Sequence, residues 1–388
     1  MCSKPLFSLI LVLLLSLGQM PAGWGFEGGV NKDILKGIHL LYDEQFNDAE
    51  NVFKKMVVES SKKPEGYFYL AMVSWSRLAS GFWSPEVVEE FKERIDSTIR
   101  VATKRIENNG SDSYDYFYLG GALGFKGRFE LMRGKWLSAF FAANDAVDAF
   151  KICLKIDPGN KDVLLCFGTF DYYTARFSGL LRFFTRLFIH KGSKEEGLNK
   201  LNVAANEATY SATESKSMLL HIYLFLEQDF PKALPLAEEL EAEYDENPRY
   251  KLLKGLCYIV LGMDDEYEAT VHDLRLKSLN SSSLIMASLW NRRVLYLEAI
   301  NDLYHARYSE ARSRITAILD QPDPENDPWM IAWPVTKLGI SYDLENSRKE
   351  ALKYYHQVLE MENGAGAQFL VEEYMDQPPN AGSPFLGY

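Results

Sequence analysis

The sequence is poor in cysteine, has no metal-ligand spacing and no basic excess, and shows no useful length of strand-like alternation. Of its four cysteines, Cys2 falls inside a leader argued below, which leaves Cys153, Cys166 and Cys257. An odd number cannot all pair, so a disulfide framework is excluded; a single Cys153–Cys166 bridge is compatible with an oxidising compartment but nothing demands it. No CxxC and no His/Cys cluster suggests a metal, and no cofactor motif is present. The six histidines are scattered, none forms HExxH, and no Ser, His and Asp grouping suggests a nucleophile. Glycines from Gly120 to Gly127 do not make a phosphate loop, because no strand precedes them and Lys126 is followed by Gly in place of Ser or Thr. A net charge of −12 lacks the basic face of a nucleic-acid binder, so no nucleic acid is expected. Nothing local marks an enzyme.

What the chain does have is apolar and aromatic side chains. An apolar share of 47% is enough for a real core, and 22 Tyr with 23 Phe suit helices stacked through bulky contacts. At the N-terminus, Lys4 precedes the apolar run Leu6 to Leu17, which is too short to span a bilayer comfortably. Gly23-Trp24-Gly25 then places small residues at −3 and −1, so residues 1–25 read as a signal peptide cleaved after Gly25, with Ala22 as the competing site. The mature protein is expected to be exported (periplasmic or secreted) and soluble.

Helical signals fill the rest. Val335, Leu338, Gly339 and Tyr342 are followed by Ala351 and Tyr355. A small residue on one helix and another twelve positions on, with aromatics on either side, lets two helices cross closely. This spacing resembles the tetratricopeptide (TPR) repeat, with Val335 in place of the usual Trp. The same twelve-residue interval separates Gly37 from Ala49, His221 from Ala233 and Ala299 from Ala311. Hairpins also read at Pro64 to Asn109, where Ser84-Pro85 opens the second helix, and at Gly255 to Gly262.

Two hairpins are stretched. Gly120 and Ala146 stand 26 apart, and the extra fourteen residues equal about four helical turns, two for each helix. Gly120 and Gly127, with Ala139, Ala142, Ala146 and Ala149 on the return helix, read as a close small-residue seam, with Phe150 after it. Gly168 and Gly197 are 29 apart, so the fourth hairpin also carries an insertion. The expected fold is therefore all-α: a TPR-like α-solenoid of about eight hairpins over residues 26–362, then a short helix and mobile tail over 363–388.

In TPR proteins the first helix of each hairpin lines a concave groove. The resemblance implies partner contacts at Thr169 and Tyr172 in hairpin four, Arg249 in six (with Leu252), Arg293 and Tyr296 in seven, and Trp333 and Asp343 in eight. Aromatic residues and arginine are the types that most often anchor interfaces. The stretch 176–194 is carboxylate-free, with Arg176, Arg182, Arg186 and Lys191 beside Phe and Leu at helical spacing; it reads as a core helix or as a basic amphipathic surface for anionic lipid. The central order Gly168, Leu180-Leu181, Arg182, Gly192, Gly197-Leu198 resembles, more weakly, the eukaryotic TPR family that includes the yeast inclusion-body-clearance protein. The expected function is a non-enzymatic scaffold that binds a protein or peptide partner in its groove. The alternative is a small-molecule or lipid carrier with an aromatic pocket in the enlarged central hairpins.

Overall fold

Seventeen helices and no strand make up the described residues (30–109, 112–133, 135–176, 193–321 and 327–380) of the computed structural model. The first four hairpins are α1 (Lys32–Tyr42) with α2 (Phe46–Glu59), α3 (Glu65–Ala79) with α4 (Pro85–Asn109), α5 (Ser113–Met132) with α6 (Trp136–Ile156), and α7 (Val163–Arg176) with α8 (Lys194–Glu207). The fifth joins α9 (Ala212–His221), extended by a π turn at Ile222–Leu226, to α10 (Phe230–Glu243). Then come α11 (Pro248–Leu261) with α12 (Asp264–Asn280), α13 (Leu284–Tyr304) with α14 (Tyr308–Leu319), α15 (Trp329–Leu344) with α16 (Arg348–Leu359), and a closing helix, α17 (Ala367–Asp376). Eight hairpins in sequence order form the expected TPR-like α-solenoid. The leader at 1–25 lies outside the described residues.

Close helix crossing sets the repeat. A Cβ on Gly37 would stand 2.2 Å from the Phe53 ring, and one on Gly339 would stand 2.3 Å from Tyr355. On Gly120 it would meet Phe150 at 2.8 Å. Each glycine is thus the socket for the aromatic four residues beyond the small residue of the second helix, and Ala49, Phe53, Ala351 and Tyr355 are all fully buried. In the sixth hairpin the socket faces forward, since Gly255 receives Leu297 of α13.

The stretched third hairpin stays in phase. Helices α1 and α15 end five residues after their glycine, whereas α5 runs twelve past Gly120; α2 and α16 start seven residues before their aromatic, whereas α6 starts fourteen before Phe150. Each helix has gained seven residues, or two turns. Gly127 lies in the added part, where its Cβ would stand 3.1 Å from the Ala139 carbonyl oxygen and 3.4 Å from Ala142 Cβ. Gly124, on the same face between Gly120 and Gly127, meets nothing within 4 Å and is left uncovered by the return helix. The fourth hairpin differs. Helix α8 keeps the plain seven residues before Leu201, so the insertion falls between α7 and α8. There the backbones nearly touch: a Cβ on Gly197 would be 2.6 Å from the Tyr172 nitrogen.

A second repeating device appears in the turns. Glu44, Gln228, Gly262, Ala306 and Asn346 all have φ between 53° and 68°. Each stands seven residues after the glycine position of its hairpin, so one left-handed residue reverses the chain every time.

From Asp33 onward the hairpins form one compact unit, because the array returns on itself. Asn247 Nδ2 donates to the Tyr42 carbonyl at 2.7 Å, and the Glu246 backbone N–H donates to Asp43 Oδ1 at 3.1 Å. The Tyr42 hydroxyl donates to Glu214 Oε2 at 2.6 Å, and the rings of His39 and Tyr42 lie 5.3 and 5.7 Å from that of Tyr244. The second hairpin meets the seventh through Arg293, which donates to the Ser80 carbonyl at 3.5 Å. It meets the eighth at Gly81, whose φ of +104° and closeness to Asp327 (2.5 Å from an added Cβ to Oδ2) leave no room for a side chain.

Candidate functional site

Three residues expected on the concave face do converge. Arg249 and Leu252 of α11 and Arg293 of α13 line one small cavity of about 10 Å³, together with Ala79, Ser80, Asp327 and Trp329. Their convergence follows from the repeat, because the first helices of adjacent hairpins lie side by side. Arg293 is 95% buried and also donates to the Leu289 carbonyl at 3.1 Å. The space in front of these arginines is not open solvent. It is filled by the turns of the first two hairpins, which bring Glu44 and Ser80 against them.

The electrostatics of this junction are uneven. Burial pushes the Glu44 carboxyl up to about 7, and Asp327 adds to the rise, while Arg293, Arg249 and a 2.7 Å hydrogen bond from Ser80 Oγ pull the other way. His221 is held down at about 3 by burial and by the charges of Arg249 and Arg128, so it is neutral at ordinary pH. Asp327 caps α15, its Oδ1 accepting from the backbone N–H groups of Trp329 and Met330 at 3.1 and 3.3 Å. The site can therefore hold or exchange charge, with the Ser80 hydroxyl donating to the Glu44 carboxyl.

The other expected contact residues are used internally. Tyr172 is fully buried and donates to Glu227 Oε1 at 2.5 Å. Tyr296 is fully buried with its ring 5.0 Å from Trp329. Trp333 donates from Nε1 to the Ala365 carbonyl, and Asp343 accepts from Tyr355 and Arg348 within the eighth hairpin. Thr169 is half-buried on α7. Arg176 ends α7, while Arg182, Arg186 and Lys191, on which the basic-surface expectation depends, lie outside the described residues. Sequence reasoning missed Glu44, Ser80, Gly81 and Trp329. Their role depends on contacts across more than two hundred residues, which no local spacing reports.

Cys153, Cys166 and Cys257 are free thiols, and burial pushes each up to about 12, which leaves them inert. Glu241, Asp245 and Asp273 bring carboxylate oxygens within 4.8 Å of one another, but the Lys251 ammonium occupies their centre at 2.7, 2.5 and 2.7 Å. A buried lysine takes the place a cation would need. No helix among the described residues is long and apolar enough to cross a membrane.

The sequence matches no protein-family model and no curated protein. Among solved structures, the crystal structure of yeast Tom70 is similar to this chain at a TM-score of 0.36 and 13% identity, covering 91% of this chain and 83% of that one. The fold assignment stands on the hairpin geometry above, not on this likeness.

Proposed function

We propose that this chain is an exported, non-enzymatic scaffold that takes a protein or peptide partner on the concave face of its hairpin array. One observation carries the reading: Arg249, Leu252 and Arg293 converge on a single cavity, as a groove lined by first helices requires. Export is supported by the short apolar run and the small residues after it. In the closed arrangement Glu44 and Ser80 stand in front of these arginines, so a partner reaches them when the first two hairpins lift. Tyr172 and Tyr296 support the groove from within; Arg249 is the more direct contact.

The test is affinity capture from the secretory or envelope fraction with wild type, Asp43→Ala/Asn247→Ala and Arg249→Glu. The double variant removes two of the hydrogen bonds that seat the first hairpin and leaves Tyr42–Glu214. The proposal expects one polypeptide to be captured by wild type, in larger amount by the double variant, and at least tenfold less by Arg249→Glu. Equal capture by all three would remove the concave face from the reading.

A further inference from the structure

A second opening lies at the same closure but on other residues. It is a cleft of about 550 Å³ between the start of α4 and end of α5 on one side, and the start of α15 and the segment after α16 on the other. That volume is in the range of pockets that bury most of a small ligand. Its apolar wall is Trp83, Val88, Phe129, Ile331 and Met361. The rings of Trp83 and Phe129 stack at 6.2 Å and 18°, and Phe129 is almost wholly buried, so this wall is preformed. Phe129 and Arg133 belong to the stretch by which the third hairpin exceeds the plain repeat, so the stretched hairpin builds the cleft.

The rim decides the chemistry of the occupant. Arg133 is exposed, with its guanidinium 5.8 Å from the Phe129 ring centre, and Glu362 is an exposed carboxylate on the opposite lip. Asn363 also lines the cleft; its Oδ1 accepts from the Ala365 N–H at 3.0 Å, while its buried Nδ2 has no hydrogen-bond partner. The rim thus offers the Arg133 guanidinium as donor and the Glu362 carboxylate as acceptor, and its charges cancel. A fatty acid supplies acceptors only: its carboxylate can pair with Arg133 but gives Glu362 no donor. A polypeptide backbone supplies N–H and C=O groups alternately and, with apolar side chains, matches both wall and rim.

We propose that this cleft binds an extended apolar segment of a partner polypeptide. The proposal rests on the scaffold reading in that the ligand is a polypeptide, but it uses no residue of the concave face. A bound segment touches both ends of the closed array at once and therefore holds it shut.

The experiment pans a phage-displayed random dodecapeptide library against the mature protein. Recovered peptides are then labelled with fluorescein and titrated by fluorescence polarisation. Expected is a set of peptides with an apolar core whose affinity drops tenfold or more on Ile331→Asp and on Val88→Asp and is unchanged on Arg249→Glu. Arg133→Glu, on the exposed rim, is the variant to use where an apolar-to-Asp change lowers the melting temperature, and it too should weaken binding. Failure to enrich any peptide overturns the cleft, as does binding that ignores the cleft variants. Peptides lost on Arg249→Glu alone overturn the cleft while leaving the scaffold reading intact. Cis-parinaric acid binding that the cleft variants abolish, with no peptide binding, assigns the site to acyl chains and overturns the proposal.

Discussion

Glu44 is a turn residue in a left-handed conformation whose carboxyl points back into the closure, towards Ser80, Arg249 and Arg293. Its folded value near 7 lies above the ordinary 4.5, so the folded chain holds a proton that the unfolded chain releases. Stability from this group is fully present below about 4.5 and is lost as pH rises through 7. Glu44→Gln removes the ionisation and keeps the shape. Denaturant unfolding at pH 8 should find the Gln variant more stable than wild type by about 2–3 kcal/mol, and at pH 4.5 the two should nearly coincide. An equal difference at both pH values would show that the effect is not ionisation. Glu50 behaves in the opposite sense. Burial alone would raise its carboxyl, but Lys54, Arg94 and Arg77 outweigh it and hold the group at about 2.

At the level of helices, two glycines three residues apart make opposite predictions. Gly127 faces the α6 backbone, so Gly127→Leu overpacks the seam and should lower stability by about 1–3 kcal/mol. Gly124 meets nothing within 4 Å, so Gly124→Ala should raise stability by up to about 1 kcal/mol through helix propensity. Urea unfolding of both variants checks the register of the whole hairpin; matching shifts would mean that the added turns do not interlock as described. This much was legible in the sequence, because a socket and its plug keep a fixed spacing along the chain. The turns were not. Of the five left-handed positions only Gly262 is a glycine, and Glu44, Gln228, Ala306 and Asn346 share no residue type that announces the conformation. Nor was the closure legible, since Arg249 and Ser80 are brought together by the summed rotation of many hairpins. Tyr172 and Tyr296 matched the groove positions by spacing, yet burial turned both into packing residues.

For the molecule as a whole, the closure couples the two ends of what would otherwise be a linear array whose repeats unfold by neighbours. Asp43→Ala with Asn247→Ala deletes the two hydrogen bonds across the closure, the Gln45–Asp43 hydrogen bond and the Asn247 cap on the Arg249 N–H, a loss of about 2–5 kcal/mol. Hydrogen exchange should then show faster opening of α1 and α2 while α15 and α16 keep their protection. Unchanged protection in α1 would mean that ring packing of His39 and Tyr42 on Tyr244, with the Tyr42–Glu214 hydrogen bond, is enough to seat the hairpin. The same contacts also have a schedule. Tyr42 waits for Asn247, 205 residues later in the chain. At about 5–20 residues per second, synthesis takes roughly 10–40 s to supply that partner. Throughout the interval the first hairpin can form its local socket of Gly37 and Phe53, but its outer aromatic edge has nowhere to dock. A chain that stalls before Glu214 has neither that carboxylate nor Tyr244 to cover Tyr42, whose ring is then free to meet a chaperone or another copy.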